Sequence, residues 1–333
     1  MIGAAVCTAA LIALFIFSVN NRSKDTAFSR NIFAMDTIME LAVYGVDADT
    51  ATIALDEAES LINELDHELS AHDKESSIYK LNEAGEGILS GYARECFMLA
   101  YSYSADEELP FNMLILPLME IWGFGDDSNE FIKDRVIPVP TEDEIEAALA
   151  YEDIDDIELS DEEGDSLYVR FKKEGMAVDL GGIAKGYASS LVMDLFREHG
   201  IKSALINLGG NVVTLGSKTD GTPFRVGIRD PEGGYFDVVC VSDMAVVTSG
   251  GYERYVTGED GKVYHHIIDP LTGRPAESGL ISATAVCTDP TLADVLSTSL
   301  FIMGREGAEK YASQHIGELE ILLLCDDGES LHL

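Results

Sequence analysis

Asp294 and Thr298 stand four residues apart in the segment ADVLST. Residues four apart on a helix share one face, so a helix here would bring a carboxylate and a hydroxyl together. Both groups are hard oxygen ligands, which suit Mg²⁺ better than zinc. The pair predicts a magnesium site, although two buried side chains that hydrogen-bond to the backbone would give the same pattern.

The segment DLGGIAKG, from Asp179 to Gly186, could bind an anion. Glycines let the backbone approach a ligand closely. The start of a helix presents free N–H groups, which favour a phosphate or pyrophosphate, and Lys185 would add a positive charge. The segment therefore predicts an anion site, and an ordinary strand-to-helix turn with a surface lysine is the alternative.

His266 precedes an Asp-Pro-x-Thr-Gly turn and could act as a base or contact a ligand. His265 would alternate to the other face of the strand, so the two histidines need not share a role. Arg229, in a turn at a strand end, is a candidate anion contact. Other polar or glycine turns at strand ends, where ligand sites often lie, are at Asn207–Asn211 and Ser249–Tyr252.

The elements that must position these residues follow from hydrophobic periodicity and from capping signals. Strands are predicted at Ile38–Tyr44, Ala177–Leu180 and Ser203–Leu208. Helices are predicted at Asp49–Leu69, Gly91–Ala105, from a capping box at Thr141–Glu144, at Ala184–His199 before Gly200, and at Pro290–Met303 before Gly304. Strands and helices mix without strict alternation, so the predicted fold class is α+β.

The composition excludes several classes of function. The formal net charge is −38 with a pI of about 4.2, which argues against binding to nucleic acid or to anionic lipid surfaces. An anionic ligand would need a locally basic or metal-bearing pocket. The five cysteines form no CxxC pair, so a zinc or iron–sulfur site is not expected.

The N-terminus carries an uncharged apolar run from Ile2 to Val19, which is about long enough to span a bilayer as a helix. We expect residues 1–20 to be a signal or membrane anchor, with an anchor or uncleaved signal favoured. Residues 21–30 are predicted as a linker and residues 31–333 as one folded domain. The folded domain is then expected outside the cytoplasm.

The order of motifs is more specific than any one motif. DLGGIAKGYA, INLGGNV, GIRDP, SGGYERY, HIIDPLTGRP and ADVLSTSLFIMG follow one another along the chain. This succession resembles the ApbE family, the FAD:protein FMN transferases, from about Ala34 to Gly304. The resemblance implies an ApbE-like mixed sheet with packed helices, and a reaction in which a Thr or Ser hydroxyl of an acceptor protein attacks the FMN-side phosphorus of FAD and AMP leaves.

The resemblance also implies the site. Mg²⁺ would be bound by the carbonyl of Gly182 and by Asp294 and Thr298. Asp179 and Lys185 would contact FAD. His266 would lie near the flavin phosphate and could activate the acceptor hydroxyl, and Ile268 would line the pocket.

The N-terminal half departs from the family pattern at its adenine- and flavin-side contacts. Met-Gly-Thr becomes Met35-Asp36-Thr37, an aromatic residue becomes His72, and the Phe-Asp-x-Thr segment becomes Phe111-Asn112-Met113-Leu114. Met35, His72, Phe111 and Asn112 are therefore the candidate FAD contacts here. These departures favour one alternative, a flavin-binding or carrier protein without turnover. A second alternative is an FAD pyrophosphatase, with water as the acceptor at the same site.

Overall fold

The computed structural model describes residues 27–125, 135–162 and 164–333. The apolar run from Ile2 to Val19, predicted as an anchor, lies outside the described residues. Within the described part, no helix combines the length and the hydropathy needed to cross a membrane. The first strand begins at Ala27, so residues 27–30 of the predicted linker belong to the sheet instead.

The described residues form eighteen strands and seven helices. The strands are β1 Ala27–Ala34, β2 Thr37–Tyr44, β3 Glu86–Ser90, β4 Val136–Ile137, β5 Ile157–Glu162, β6 Ser166–Phe171, β7 Ala204–Leu208, β8 Asn211–Leu215, β9 Phe224–Arg229, β10 Tyr235–Val241, β11 Ala245–Gly250, β12 Tyr255–Gly258, β13 Val263–His265, β14 Ile268–Asp269, β15 Arg274–Pro275, β16 Leu280–Cys287, β17 Glu320–Cys325 and β18 Ser330–His332. The helices are α1 Ala48–Leu69, α2 Ser77–Ala84, α3 Gly91–Ser104, α4 Leu116–Ile121, α5 Glu142–Leu149, α6 Ala184–Glu198 and α7 Pro290–Gln314.

The centre of the fold is an eight-stranded sheet in the order β1-β2-β7-β8-β11-β16-β17-β18, with antiparallel neighbours throughout. Adjacent residues of a strand point to opposite faces. Val213 of β8 and Val247 of β11 lie in the main core with helices α1, α6 and α7, while Val212 and Val246 pack under the β9–β10 hairpin. The sheet is therefore covered on both faces, and the α+β class is confirmed.

A second, smaller core lies beside the main one. Helices α4 and α5 pack there with the three-stranded sheet β13-β12-β4, whose β4–β12 pair is parallel. Trp122 is buried in this core and donates its indole N–H to the carbonyl of Gly273, 2.8 Å away. This bond holds the Asp269–Gly273 turn against α4.

Two predicted elements differ from the structure. Residues 177–180 form no strand, because the backbone of Val178 exchanges two hydrogen bonds with the side chain of Asn82, and Asp179 N–H donates to the carbonyl of Met113. The last helix does break at Gly304, where φ is 68° and ψ is −172°, but helix resumes beyond it and runs to Gln314. The predicted helix end at Met303 is therefore a kink within the longer helix α7.

Candidate active site

The starts of α6 and α7 meet at Gly186. A Cβ at this position would lie 2.4 Å from the carbonyl oxygen of Pro290 and 2.7 Å from Cβ of Asp294. Only glycine permits this close approach. It lets the backbone N–H of Gly186 donate to Oδ2 of Asp294 over 2.8 Å, so the carboxylate is joined directly to the DLGGIAKG segment.

Asp294 is buried, with 4% of its surface exposed. Within the described residues it forms no salt bridge, and the Gly186 N–H is the one hydrogen-bond donor recorded for its carboxylate. A buried carboxylate with so few partners is costly unless a cation compensates it. Thr298 is one helical turn further along α7, half-buried, and its hydroxyl lies 3.1 Å from Oγ of Ser249 at the end of β11.

The DLGGIAKG turn carries the other predicted contacts on this side. Asp179 accepts a hydrogen bond from the N–H of Gly181 (2.6 Å), and Lys185 donates over 3.3 Å to the carbonyl of Gly181. Gly182 lies against the ring of Phe111, where a Cβ would come within 3.0 Å of the ring edge. The predicted residues Asp179, Gly182, Lys185 and Phe111 therefore form one neighbourhood.

His266 is held by the backbone of Arg254. The carbonyl of Arg254 accepts hydrogen bonds from both the backbone N–H and Nδ1 of His266, each over 3.1 Å. Because Nδ1 donates, the neutral ring leaves the lone pair of Nε2 available to take a proton. Burial, together with the charges of Arg254 and Lys185, lowers the pKa of His266 to about 3.

His265 has a different role from His266. Its Nε2 lies 3.0 Å from the carbonyl of Ala276, its Nδ1 accepts from the N–H of Ile267, and its ring meets Phe301 edge-on. Both nitrogens are therefore engaged, and burial lowers the pKa of this ring as well. His265 is a packed structural residue at the end of β13, and His266 lies just beyond the strand instead of on its opposite face.

The remaining predicted contacts are spread out. His72 lines a cavity of about 360 Å³ with Tyr79, Asn82 and Glu120, and the described lining of this cavity does not include His266 or Asp294. Asn112 uses both ends of its amide on the backbone, donating to the carbonyl of Glu152 and accepting from Leu114 N–H.

The last three predicted contacts are Met35, Arg229 and Ile268. Met35 sits in the tight β1–β2 turn with φ of 46°, its N–H bound by Asp66. Arg229 is exposed at the end of β9, with its guanidinium 6.0 Å from the centre of the Tyr252 ring. Ile268 is buried in the second core.

Two contributors to this region were not predicted individually. Ser249 was noted only as part of a glycine turn, and Arg254 was not singled out. Their roles depend on contacts with α7 and with the segment before β14, which are distant in sequence. Hydrophobic patterning carries no signal for such contacts.

The donor set suits Mg²⁺ by its chemistry. No group of three or more His, Cys, Asp or Glu side chains in the described part of the chain is placed to hold a metal. The predicted set differs in kind: one carboxylate, one hydroxyl and one backbone carbonyl, all hard oxygens. The under-partnered Asp294 is the observation that fits a bound cation.

Comparison with known proteins identifies the family. Residues 35–323 match the model of the ApbE family. The chain is 32% identical over 322 residues to the FAD:protein FMN transferase of Treponema pallidum, covering 92% of this chain and 85% of the relative. A Klebsiella pneumoniae protein of the same name is 32% identical over 290 residues, 85% of each chain.

Solved structures agree with this assignment. The ApbE protein of Thermotoga maritima superposes with a TM-score of 0.80 at 28% identity, covering 92% of this chain and 96% of that one. The flavin transferase ApbE of Vibrio cholerae superposes with a TM-score of 0.76 at 26% identity, covering 93% and 97%. With the family model matching most of its length, this chain belongs to the ApbE family.

Proposed function

We propose that this chain is a magnesium-dependent FAD:protein FMN transferase. The observation that carries the proposal is the junction of α6 and α7, where Gly186 N–H binds the buried carboxylate of Asp294 beside Lys185. The names of its relatives support the same activity. A carrier that only stored FAD would have no need of a hard-oxygen metal site beside the pyrophosphate.

In the proposed reaction, the hydroxyl oxygen of an acceptor Thr or Ser forms a bond to the FMN-side phosphorus of FAD. The bond from that phosphorus to the bridging oxygen breaks, and AMP departs with that oxygen. His266 takes the hydroxyl proton at Nε2, the nitrogen left free by the Nδ1 bond to Arg254. Three of the first four N–H groups of α6, those of Ala184, Gly186 and Tyr187, already have hydrogen-bond partners. The pyrophosphate is therefore bound by the Lys185 ammonium at this positive helix end rather than by a row of free N–H groups.

Gly182, Asp294 and Thr298 would hold Mg²⁺ through a carbonyl, a carboxylate and a hydroxyl. The metal would neutralise charge that develops on the pyrophosphate oxygens. Lys185 and Arg254 form no ion pair within the described residues, so both charges are available to an anion. In a chain of net charge −38, such unpaired cations are the local exception that an anionic substrate needs.

The partners and the location are part of the proposal. The acceptor is a protein with a flavin-attachment Thr or Ser, such as the FMN-binding domain of a redox complex. The apolar run Ile2–Val19 would anchor the chain to the membrane or export it, which would leave the catalytic domain extracytoplasmic. Nucleic acid is not an expected partner of so acidic a chain.

The transferase is tested with the full chain, FAD, MgCl₂ and a flavin-attachment domain, by intact mass of the acceptor and by AMP release. We expect both signals together, and both lost with EDTA. AMP and free FMN without a labelled acceptor would indicate the pyrophosphatase reaction. Bound FAD without AMP would indicate a carrier.

The metal assignment is tested with Asp294→Asn, which keeps the size of the side chain. Because it removes the one charged ligand, we expect transfer to fall at least about 100-fold at low Mg²⁺, with a melting temperature close to that of the parent. The magnesium dependence of AMP release is the measurement. An unchanged magnesium requirement would show that Asp294 is not a ligand.

A further inference from the structure

Three hydroxyl groups form a chain between the end of β11 and the middle of α7. Oγ of Ser249 lies 2.8 Å from Oγ of Ser297 and 3.1 Å from Oγ1 of Thr298. Ser297 in turn donates to the backbone carbonyl of Asp294 over 2.9 Å. Ser297 is fully buried, and Ser249 and Thr298 are half-buried.

The three hydroxyl hydrogens can satisfy these three hydrogen bonds in one arrangement only. A carbonyl cannot donate, so the proton of Ser297 points to Asp294 O. Ser297 can then only accept from Ser249, which uses the single proton of Ser249. The remaining bond must be donated by Thr298 to Ser249.

This order fixes the orientation of the Thr298 hydroxyl. A threonine in a helix commonly turns its hydroxyl proton to the carbonyl four residues earlier, here that of Asp294. Ser297 already occupies that carbonyl. Ser249 offers the acceptor that takes the Thr298 proton instead, and the lone pairs of Oγ1 are left for a cation.

We propose that Ser249 is a positioning residue that orients the Thr298 hydroxyl as a metal ligand by accepting its proton. The inference rests on the proposed metal site, and it assigns a role to a residue outside the ligand set. Removing a residue that hydrogen-bonds to a metal ligand typically weakens metal affinity by about 10- to 100-fold.

The test is direct Mn²⁺ binding to the full-length protein, measured by electron paramagnetic resonance without FAD and again with FAD. Ser249→Ala is expected to weaken Mn²⁺ binding about 10-fold or more. Ser249→Thr keeps the hydroxyl and is expected to restore most of the affinity. Thermal unfolding of each variant checks that it is folded.

Ser299→Ala is the matched control, because Ser299 is a buried serine on the same helix whose hydroxyl binds the carbonyl of Val295. It is expected to bind Mn²⁺ like the parent. If Asp294→Asn loses Mn²⁺ binding while Ser249→Ala retains it, the role of Ser249 is refuted and the metal site stands. If both retain it, the metal site of the proposed function is refuted as well.

Discussion

At the scale of single residues, the proposed transfer depends on the protonation state of His266. Its Nδ1 donates to Arg254, and the positive charges that face it belong to Arg254 and Lys185, with His265 alongside. Burial and these positive charges outweigh the hydrogen bond to Arg254, which favours the protonated ring. The ring therefore remains neutral well below its ordinary pKa of 6.5.

The pH dependence of transfer should report this environment. We expect the parent to keep kcat/KM nearly constant from pH 8 down to about pH 5.5, where an ordinary histidine would already be half protonated or more. Arg254→Gln removes a positive charge, so protonation of His266 becomes easier. The acidic limb, expected near pH 3 in the parent, moves up by about one pH unit, and both profiles are therefore followed down to about pH 3.

Two controls accompany the pH profile. Arg254→Lys keeps the charge and should keep the profile. Arg225→Gln removes an exposed cation from β9 and should also leave it in place. A profile of Arg254→Gln that overlays the parent would contradict the role given to this charge.

Glu152 is a second residue with an unusual state. Neither of its carboxyl oxygens has a hydrogen-bond partner among the described residues, and burial raises its pKa from 4.5 to about 8. Its own carbonyl holds Asn112, so its loop supports the segment that follows Phe111. The folded protein keeps this carboxyl neutral where the unfolded chain ionises it.

The pH dependence of the free energy of unfolding should report this neutral carboxyl. Between about pH 4.5 and pH 8 the unfolded chain releases the Glu152 proton and the folded chain retains it, so this group lowers the free energy of unfolding as pH rises. Glu152→Gln removes this pH-dependent loss of stability. The free energy of unfolding of the variant should therefore exceed that of the parent by an amount that grows across this window to roughly a few kcal/mol.

Urea unfolding at several pH values measures this difference. Glu146→Gln, at an exposed position on α5, is the matched control and should track the parent at every pH. A constant difference between Glu152→Gln and the parent from pH 5 to pH 8 would contradict the raised pKa.

At the scale of elements, the close approach of α6 and α7 decides the geometry of the site. Gly186→Ala would place a methyl against the backbone of Pro290 and against Asp294, so one helix must shift. We expect a loss of about 1–3 kcal/mol in the free energy of unfolding and a larger loss of transfer than of stability.

Gly87→Ala is the control for that variant. Its methyl would meet Leu81 at an ordinary contact distance of 3.7 Å, on β3 away from α6 and α7. Unfolding and transfer are measured for both variants. Full transfer activity in Gly186→Ala would show that the α6–α7 spacing is not required.

The elements themselves were predictable where local signals dominate. The strand at 38–44, the helix at 49–69 and the capping box of Thr141 and Glu144 are all confirmed. The predicted strand at 177–180 was wrong. Its apolar residues indicated pairing with another strand, but its backbone bonds to the side chain of Asn82 and to the carbonyl of Met113 instead. Those partners are distant in sequence, and local patterning cannot supply them.

The residues of the candidate site were predictable from the sequence to a similar extent. Motif chemistry singled out Asp294, Lys185 and His266, and the fold brings Lys185 to the helix start that binds Asp294. The contribution of Ser249 depends on a contact between β11 and α7, and that of Arg254 on a backbone carbonyl. Neither follows from residue type or spacing.

At the scale of the whole molecule, the candidate site is made from helix starts and strand ends beside the eight-stranded sheet. The helices α6 and α7 lie on one face of the sheet. The β9–β10 hairpin packs on the other face, against strands β8, β11, β16 and β17. The net charge of −38 contrasts with Lys185 and Arg254, two cations that act on His266 and form no ion pair within the described residues. This contrast would draw an anionic substrate to one place on the molecule.

If FMN passes from FAD to a protein hydroxyl at this site, each transfer releases one AMP. The most direct measurement loads the protein with FAD and Mg²⁺, adds a flavin-attachment domain in excess, and compares FMN on the acceptor with AMP released in a single turnover. Direct transfer of FMN predicts equal amounts of both, and neither product with Asp294→Asn. AMP released in step with free FMN, with the acceptor unmodified, would contradict it.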